Sequence, residues 1–395
     1  MAIRRKNYIL IFALVWACNA PVSEDANHVS VIKLDPLLTS KKEKVNLSEI
    51  AESIEYIILE TNEQSIFGHI VAPEEQIKFF EKGILISDKR KLLHFNYHGN
   101  FIGEIGKRGN GPTEYADIRD FAINPSLQQI AVLSPPNQRT FIYDYSGDGT
   151  KDFMVDFWPL HIASLGDDFV YIIPKGRRKP HGYHTLKFLS HNNSGNQELL
   201  IDYFDKKSSE SVALSSNQRL YQIKDNELSF WEFHYDTIWR ISPDRKITPA
   251  FYLDYEENKL PNKYLFDENV SQHEEKDQYV RLWGFVESER FFFFDMDNKN
   301  KLNRVYFDKM LHTGANLRFD RKGNGYHFEF HNDMDGGLHF WPDGEMGENR
   351  VFKLVYPHEL LAHFSDENSA EKIGLSLHSM DKSDNPILMI VKLKD

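Results

Sequence analysis

The stretch Gly106-Lys107-Arg108-Gly109-Asn110-Gly111-Pro112-Thr113-Glu114-Tyr115 carries the residue types that could most directly do chemistry. Its glycines can curl the backbone so that successive N–H groups converge on one anion, and Lys107 and Arg108 would add positive charge. Glu114 and Tyr115 set a carboxylate and a hydroxyl beside them. Lys107, Arg108, Glu114 and Tyr115 are therefore the candidate ligand-binding residues. No Gly-Lys-Ser/Thr ends the stretch and no helical pattern follows, so it is not a nucleotide-phosphate loop. A tight crossover between repeats needs the same glycines, and that plainer account is preferred.

Metal chemistry has weaker support. Asp295-Met296-Asp297-Asn298-Lys299 opens like a calcium loop, but Lys299 sits where a hard cation needs an oxygen. Asp333 and Asp335 could reach one ion from a turn, although acidic turns are mostly just solvated. No His-Glu-x-x-His or Cys/His cluster is present; of the nearest pairs, His181/His184 and His327/His331, the second would share one face of a strand and is a conceivable zinc pair, but such histidines are mostly polar edges, and the metal is left unknown. No nucleophile elbow, dinucleotide fingerprint or kinase set occurs, so no catalytic residue and no cofactor is assigned. Trp231, Trp239, Trp283 and Trp341 could serve as platforms for sugars or peptides, but strand periodicity favours packing.

Cys18 is the only cysteine in 395 residues. Arg4, Arg5 and Lys6 precede an apolar run from Tyr8 to Trp16, too short to span a bilayer core of ~30 Å. The run ends in Val15-Trp16-Ala17-Cys18, the pattern of a lipoprotein cleavage site. Cys18 is thus expected to be acylated and to become the mature N-terminus, because lipidation needs a cysteine after this flank. Ser23-Glu24-Asp25 resembles a surface-export signal. Residues 1–17 then form a signal peptide, 18–45 an anchor-proximal linker and 46–395 the folded domain.

Cleavage removes three cations and takes the net charge from −12 to −15. Such a chain is repelled by phosphate backbones, which disfavours nucleic acid as a partner. Aromatic residues make up 13% of the chain, which favours sheet over helix.

The elements that must position these residues recur. An aromatic strand, a turn and a second strand appear at Leu92–Ile105, Thr140–Phe157, Thr185–Phe204 and Thr237–Leu253. The turn residues Gly99, Gly147 and Gly195 are 48 residues apart and Asp244 follows 49 later. Two earlier strands precede each hairpin, for example Gln76–Phe80 with Gly83–Ser87, and Ile118–Ile123 with Gln129–Leu133. Four short antiparallel strands per repeat of this length make a propeller blade. The spacing predicts an all-β, six-bladed propeller of four-stranded blades with a helical insertion around 256–277. After that insertion, strands are expected at Val280–Glu287, Arg290–Asp295 and Leu302–Asp308, with a turn at Gly314. The last blade is expected to take Tyr326–Phe330, Leu338–Trp341 and Arg350–Val355. Ile54–Leu59 and Pro386–Val391 are the candidates for closing the ring, and their pairing is left open.

Leu47-Ser48-Glu49-Ile50, Tyr56–Thr61, Ile105–Tyr115, Asp333–Pro342 and Asp384–Met389 together resemble the six-bladed propeller lipoproteins of Bacteroidetes, which are similar in architecture to NHL-repeat propellers. The resemblance implies a propeller fold and a place in the cell envelope; the expected location is the outer membrane, with the face of the membrane, and so exposure at the surface, left open. It implies no reaction. The expected function is a monomeric binding or scaffold propeller for a protein or glycan partner, held to the membrane by its lipid. The alternative is a hydrolase or lyase with an axial metal, acting on a glycan or peptide.

Overall fold

The structure is a computed structural model. It describes residues 29–395 apart from 156–158, 173–185, 191–196, 200–217, 224–225, 233–235, 262–273, 300, 318, 322–324 and 365–366. Cys18, the Ser194-Gly195 turn, the pair His181/His184 and the centre of the expected insertion lie outside the described residues, as does the side chain of His327.

Among the described residues the chain forms five four-stranded sheets, one five-stranded sheet and two short two-stranded ladders. In chain order, the first sheet holds Ile77–Phe80, Gly83–Ser87, Leu92–Phe95 and Phe101–Glu104. The second holds Asp120–Asn124, Gln129–Ser134, Arg139–Asp144 and Gly149–Met154. The third holds His161–Leu165, Asp168–Ile172, Leu186–Ser190 and Gln197–Leu199. Gln218–Gln222, Leu228–Glu232, Thr237–Ile241 and Ile247–Asp254 make the fourth. Val280–Glu287, Phe291–Asn298, Lys301–Asp308 and Thr313–Asn316 make the fifth. The sixth is made from both ends of the chain, in the order Gly344–Gly347, Arg350–Val355, Ile387–Leu393, Ala51–Ile58.

Apolar periodicity explains how these sheets assemble. In each central strand, alternate residues face opposite sides, and both sides are buried. Ile84 and Ile86 pack toward the sixth sheet, while Leu85 between them packs toward the second. Ile130 and Val132 face the first sheet; Ala131 and Leu133 face the third. Phe291 and Phe293 meet the sixth sheet, whereas Phe292 and Phe294 meet the fourth. The run of four phenylalanines is thus a strand with two dry faces. Six clusters result, each shared by two consecutive sheets, and the cluster of Ile57, Leu354 and Leu388 with Ile84, Leu93 and Phe95 joins the sixth to the first. The arrangement is a β-propeller with a few short helices.

The hairpin turns behave as their glycines require. Gly99 and Gly147 sit at φ +82° and +94°. A Cβ on Gly99 would lie 1.9 Å from the Ile58 carbonyl oxygen, so a neighbouring strand approaches where only glycine leaves room.

Four expectations are corrected. Blades of four strands hold for five sheets, but the fourth carries a fifth strand, Ser30–Lys33, which pairs in parallel with Phe251–Asp254. The segment assigned to a linker over 18–45 therefore joins the fold from Ser30. Leu34, Leu37 and Leu38 are buried because the helix Leu34–Thr39 covers the fourth and fifth sheets, and Val45 is buried in the cluster between the fifth and sixth. Gly314 is not in a turn; it lies in a strand opposite Phe307, and the turn is at 309–312. Tyr326–Phe330 and Leu338–Trp341 are not blade strands. Gly325–His327 pairs with Phe319–Arg321, and Phe330 bridges Phe340. Phe330, Phe340 and Trp341 instead join the cluster between the fifth and sixth sheets, with Phe330 stacked on Trp341 at 6.0 Å.

The two candidate closing segments join the same sheet. Ile387–Leu393 runs between Ala51–Ile58 and Arg350–Val355, antiparallel to both. Around the expected insertion, the described ends are the 3-10 turns Glu256–Asn258 and Glu274–Gln278. Lys259 bridges Val280, so the chain leaves and returns at adjacent points.

Candidate functional site

The glycine-rich stretch forms the crossover from the first sheet to the second. Lys107–Arg108 pairs in parallel with Glu114–Tyr115. The backbone does curl around an anion, but that anion is internal: the Gly111 N–H donates to the Glu114 carboxylate at 2.8 Å. A Cβ on Gly109 would strike the same carboxylate. Tyr115 is fully buried, and its hydroxyl is shared between Glu104 and the Ile105 carbonyl at 3.3 Å each. Half-buried Glu114 and buried Tyr115 thus make their contacts within the fold. Lys107 and Arg108 remain exposed, with Arg108 also donating to the Ala116 carbonyl. The structure brings the four residues together, away from any cavity described.

The acidic turns are likewise occupied. Asp333 accepts from the backbone and hydroxyl of Ser48, and Asp335 from Tyr56. Asp295 meets Arg304 and Asp297 meets Arg281. His331 packs against His339 at 5.2 Å between ring centres. Among the described residues no three His, Cys, Asp or Glu side chains converge as a metal site would need. Trp231 and Trp341 are core residues, while Trp283 is partly exposed.

A different site emerges at the axis. The first strand of every sheet lines one cavity of about 730 Å³, through Ile77–Phe80, Asp120, His161–Ser164, Leu220–Gln222, Phe285–Glu287 and Gly344–Gly347. That volume is in the range of small-molecule sites. Its wall runs from buried Asp120, His161 and Glu287 out to exposed Glu81, Glu289 and Glu348. Among the described lining residues nine are acidic, against the two fixed cations Lys78 and Arg350. The cavity is strongly anionic.

Two knots of charge organise it. In the first, Lys78 from the first sheet donates to Asp120 of the second at 2.9 Å. The other oxygen of Asp120 accepts from the Ile162 N–H of the third sheet at 3.0 Å and faces His161 Nδ1 at 3.4 Å. Burial alone would push Asp120 up, but the Lys78 ammonium and the His161 ring outweigh it and hold the carboxyl at about 2. One carboxylate stitches three sheets together.

In the second knot, buried Glu287 of the fifth sheet accepts from Tyr221 at 2.8 Å, Arg240 at 2.5 Å and Lys309 at 3.0 Å. Desolvation pushes the Tyr221 hydroxyl well up and draws the Lys309 ammonium down. Beside this knot stands Glu345, on the first strand of the sixth sheet. Burial, reinforced by repulsion from Glu287, lifts its carboxyl to about 8, against the pull of Lys309 and Arg240. Glu345 is therefore largely a neutral acid at pH 7, able to donate as well as accept.

None of these residues forms a sequence motif, because each comes from a different repeat. The available signal was positional. Lys78, Asp120, His161, Tyr221, Glu287 and Glu345 all lie on the first strand of their repeat, so superposing the repeats would have placed them on one ring.

Solved structures share the arrangement. A candidate exported protein of Bacteroides fragilis superposes with a TM-score of 0.71 at 17% identity, covering 93% of this chain and all of its own. A Bacteroides vulgatus member of the DUF4221 family superposes with a TM-score of 0.54 at 11% identity, covering 90% of this chain and all of its own. At these identities the likeness shows the fold alone. Comparison with curated proteins gives no match. Across residues 29–392 the sequence matches one family, and the chain belongs to it: the domain of unknown function DUF4934.

Proposed function

We propose that this chain is an envelope lipoprotein, anchored through Cys18, whose six-bladed propeller binds a ligand in its axial cavity. The observation that carries the reading is the cavity itself, to which the first strand of each of the six sheets contributes polar side chains. A protein or glycan partner recognised at the rim, as the sequence suggests, would then present its reactive or charged part to the axis. Export of the B. fragilis protein of like fold is consistent with an extracytoplasmic site of action.

Two measurements test this. Gln222 is half-exposed and lines the cavity, so Gln222→Trp should fill the space without disturbing a core. Wild-type protein incubated with envelope extract is expected to retain a compound, identified by mass spectrometry, that Gln222→Trp loses at an unchanged Tm. Equal retention by both proteins would refute an axial site. For the anchor, Cys18→Ser is expected to move the protein from the membrane to the soluble fraction. A variant still sedimenting with membranes would exclude lipidation as the tether.

A further inference from the structure

Within the acidic cavity one polar atom is left over. His161 is 5% exposed and lines the cavity wall, and its Nε2 has no hydrogen-bond partner. The other ring nitrogen faces Asp120 at 3.4 Å, and with the proton held on Nδ1 there, Nε2 offers a lone pair. The nearest charged group to Nε2 is the Glu75 carboxylate at 3.9 Å, beyond hydrogen-bond reach. Glu75 is only partly buried and can shift back toward solvent. Two acceptors facing one gap, one neutral and one anionic, lack a donor between them. A buried unpaired acceptor is costly, and the group that relieves both at once is an N–H donor bearing positive charge.

The rest of the wall points the same way. Asp120 and Glu287 are neutralised by lysine and arginine partners, whereas Glu345 stands beside Glu287 and gains a favourable neighbour when a cation arrives. We propose that the axial cavity takes a flexible aliphatic polyamine, with one primary ammonium held between His161 Nε2 and Glu75 and a second near Glu345. This rests on the axial-site reading and names its ligand class. A metal ion fits less well, since no three metal-ligating side chains converge among the described residues. A linear amine can span separate acceptors along a cavity of this volume.

The test is a calorimetric titration of the full chain with 1,6-diaminohexane and spermidine, using 1,6-hexanediol as the uncharged control of matched length. Both amines are expected to bind, spermidine about tenfold the tighter, with affinity falling as salt is raised; the diol is expected to give no heat. Glu75→Gln and His161→Phe should each weaken spermidine at least tenfold, and Gln222→Trp should abolish it. Glu75 is partly exposed, so its variant keeps the test decisive if His161→Phe fails to fold. Amine binding that survives both Glu75→Gln and Gln222→Trp would overturn the site. If the amines do not bind, yet the retained compound that depends on Gln222 carries no amine, the ligand class is overturned and the axial site stands. If no compound depends on Gln222, the axial site falls with it. Binding of a lysine-rich tripeptide without spermidine binding would also overturn the polyamine assignment.

Discussion

Glu345→Gln is expected to flatten the pH dependence of stability between about pH 5 and pH 9. The folded chain lifts this carboxyl from 4.5 to about 8 through burial and the nearby Glu287. Between those values the unfolded chain gives up the proton that the folded chain keeps. Folding then binds a proton, and stability falls as pH rises through this window. Below it both states are protonated and the contribution is fully present; above pH 8 the loss is complete. The whole effect is on the order of 5 kcal/mol. Lys309, Arg240 and Glu289 also face this carboxyl, and glutamine leaves their charges in place while removing the titration. Urea unfolding at pH 5, 7 and 9 should show wild type losing stability stepwise and Glu345→Gln changing much less. Parallel curves for the two proteins would refute the assignment.

The second large effect is expected at the closure. Leu388 is fully buried, in register with Ile57 on one side and Leu354 on the other, and packs on Ile84 and Leu93 of the first sheet. Leu388→Ala should cost about 3 kcal/mol through lost contact and the cavity left behind. Leu388→Asp should cost several kcal/mol more, since a carboxylate there has no partner. The strand Ile387–Leu393 hydrogen-bonds along both edges, so its loss releases Ala51–Ile58 on one side and Arg350–Val355 on the other. Lys392 provides the control: it is exposed on the same strand, its ammonium pairs with the Glu52 carboxylate at 2.7 Å, and Lys392→Ala should leave the Tm nearly unchanged. Calorimetric Tm values that fall equally for Leu388→Asp and Lys392→Ala would show that the ring does not depend on this seam.

The repeat was legible because its physics is local. Gly99 and Gly147 mark positive-φ turns, and phenylalanine and isoleucine runs mark strands buried on both faces. What the sequence hid was non-local or unpatterned. Ser30–Lys33 is four residues long and pairs in parallel with a strand over 200 residues away, so no hairpin signal announces it. Gly344–Gly347 reads Gly-Glu-Met-Gly and has little strand propensity, which is why the aromatic Tyr326–Phe330 was favoured for its place. The glycine-rich stretch is the crossover between repeats that its sequence favours, and the carboxylate its backbone meets is Glu114, from within the same stretch. The axial residues are separated by about one repeat each, and only the ring closure makes them neighbours.

The strand Ser30–Lys33 lies at the outermost position of the fourth sheet, four strands away from the one that lines the axis. Chain upstream of Ser30 therefore departs from the perimeter of the disc. A pull applied at Ser30 would thus reach the fold at its perimeter, away from the axial opening. The strand's mechanical behaviour follows from the parallel pairing with Phe251–Asp254. Tension along the strand loads all its hydrogen bonds at once, while tension across it unzips them one at a time. The resistance of this strand thus depends on the direction of pull, and Leu34, Leu37 and Leu38, buried just beyond it, act as the knot that stops it slipping.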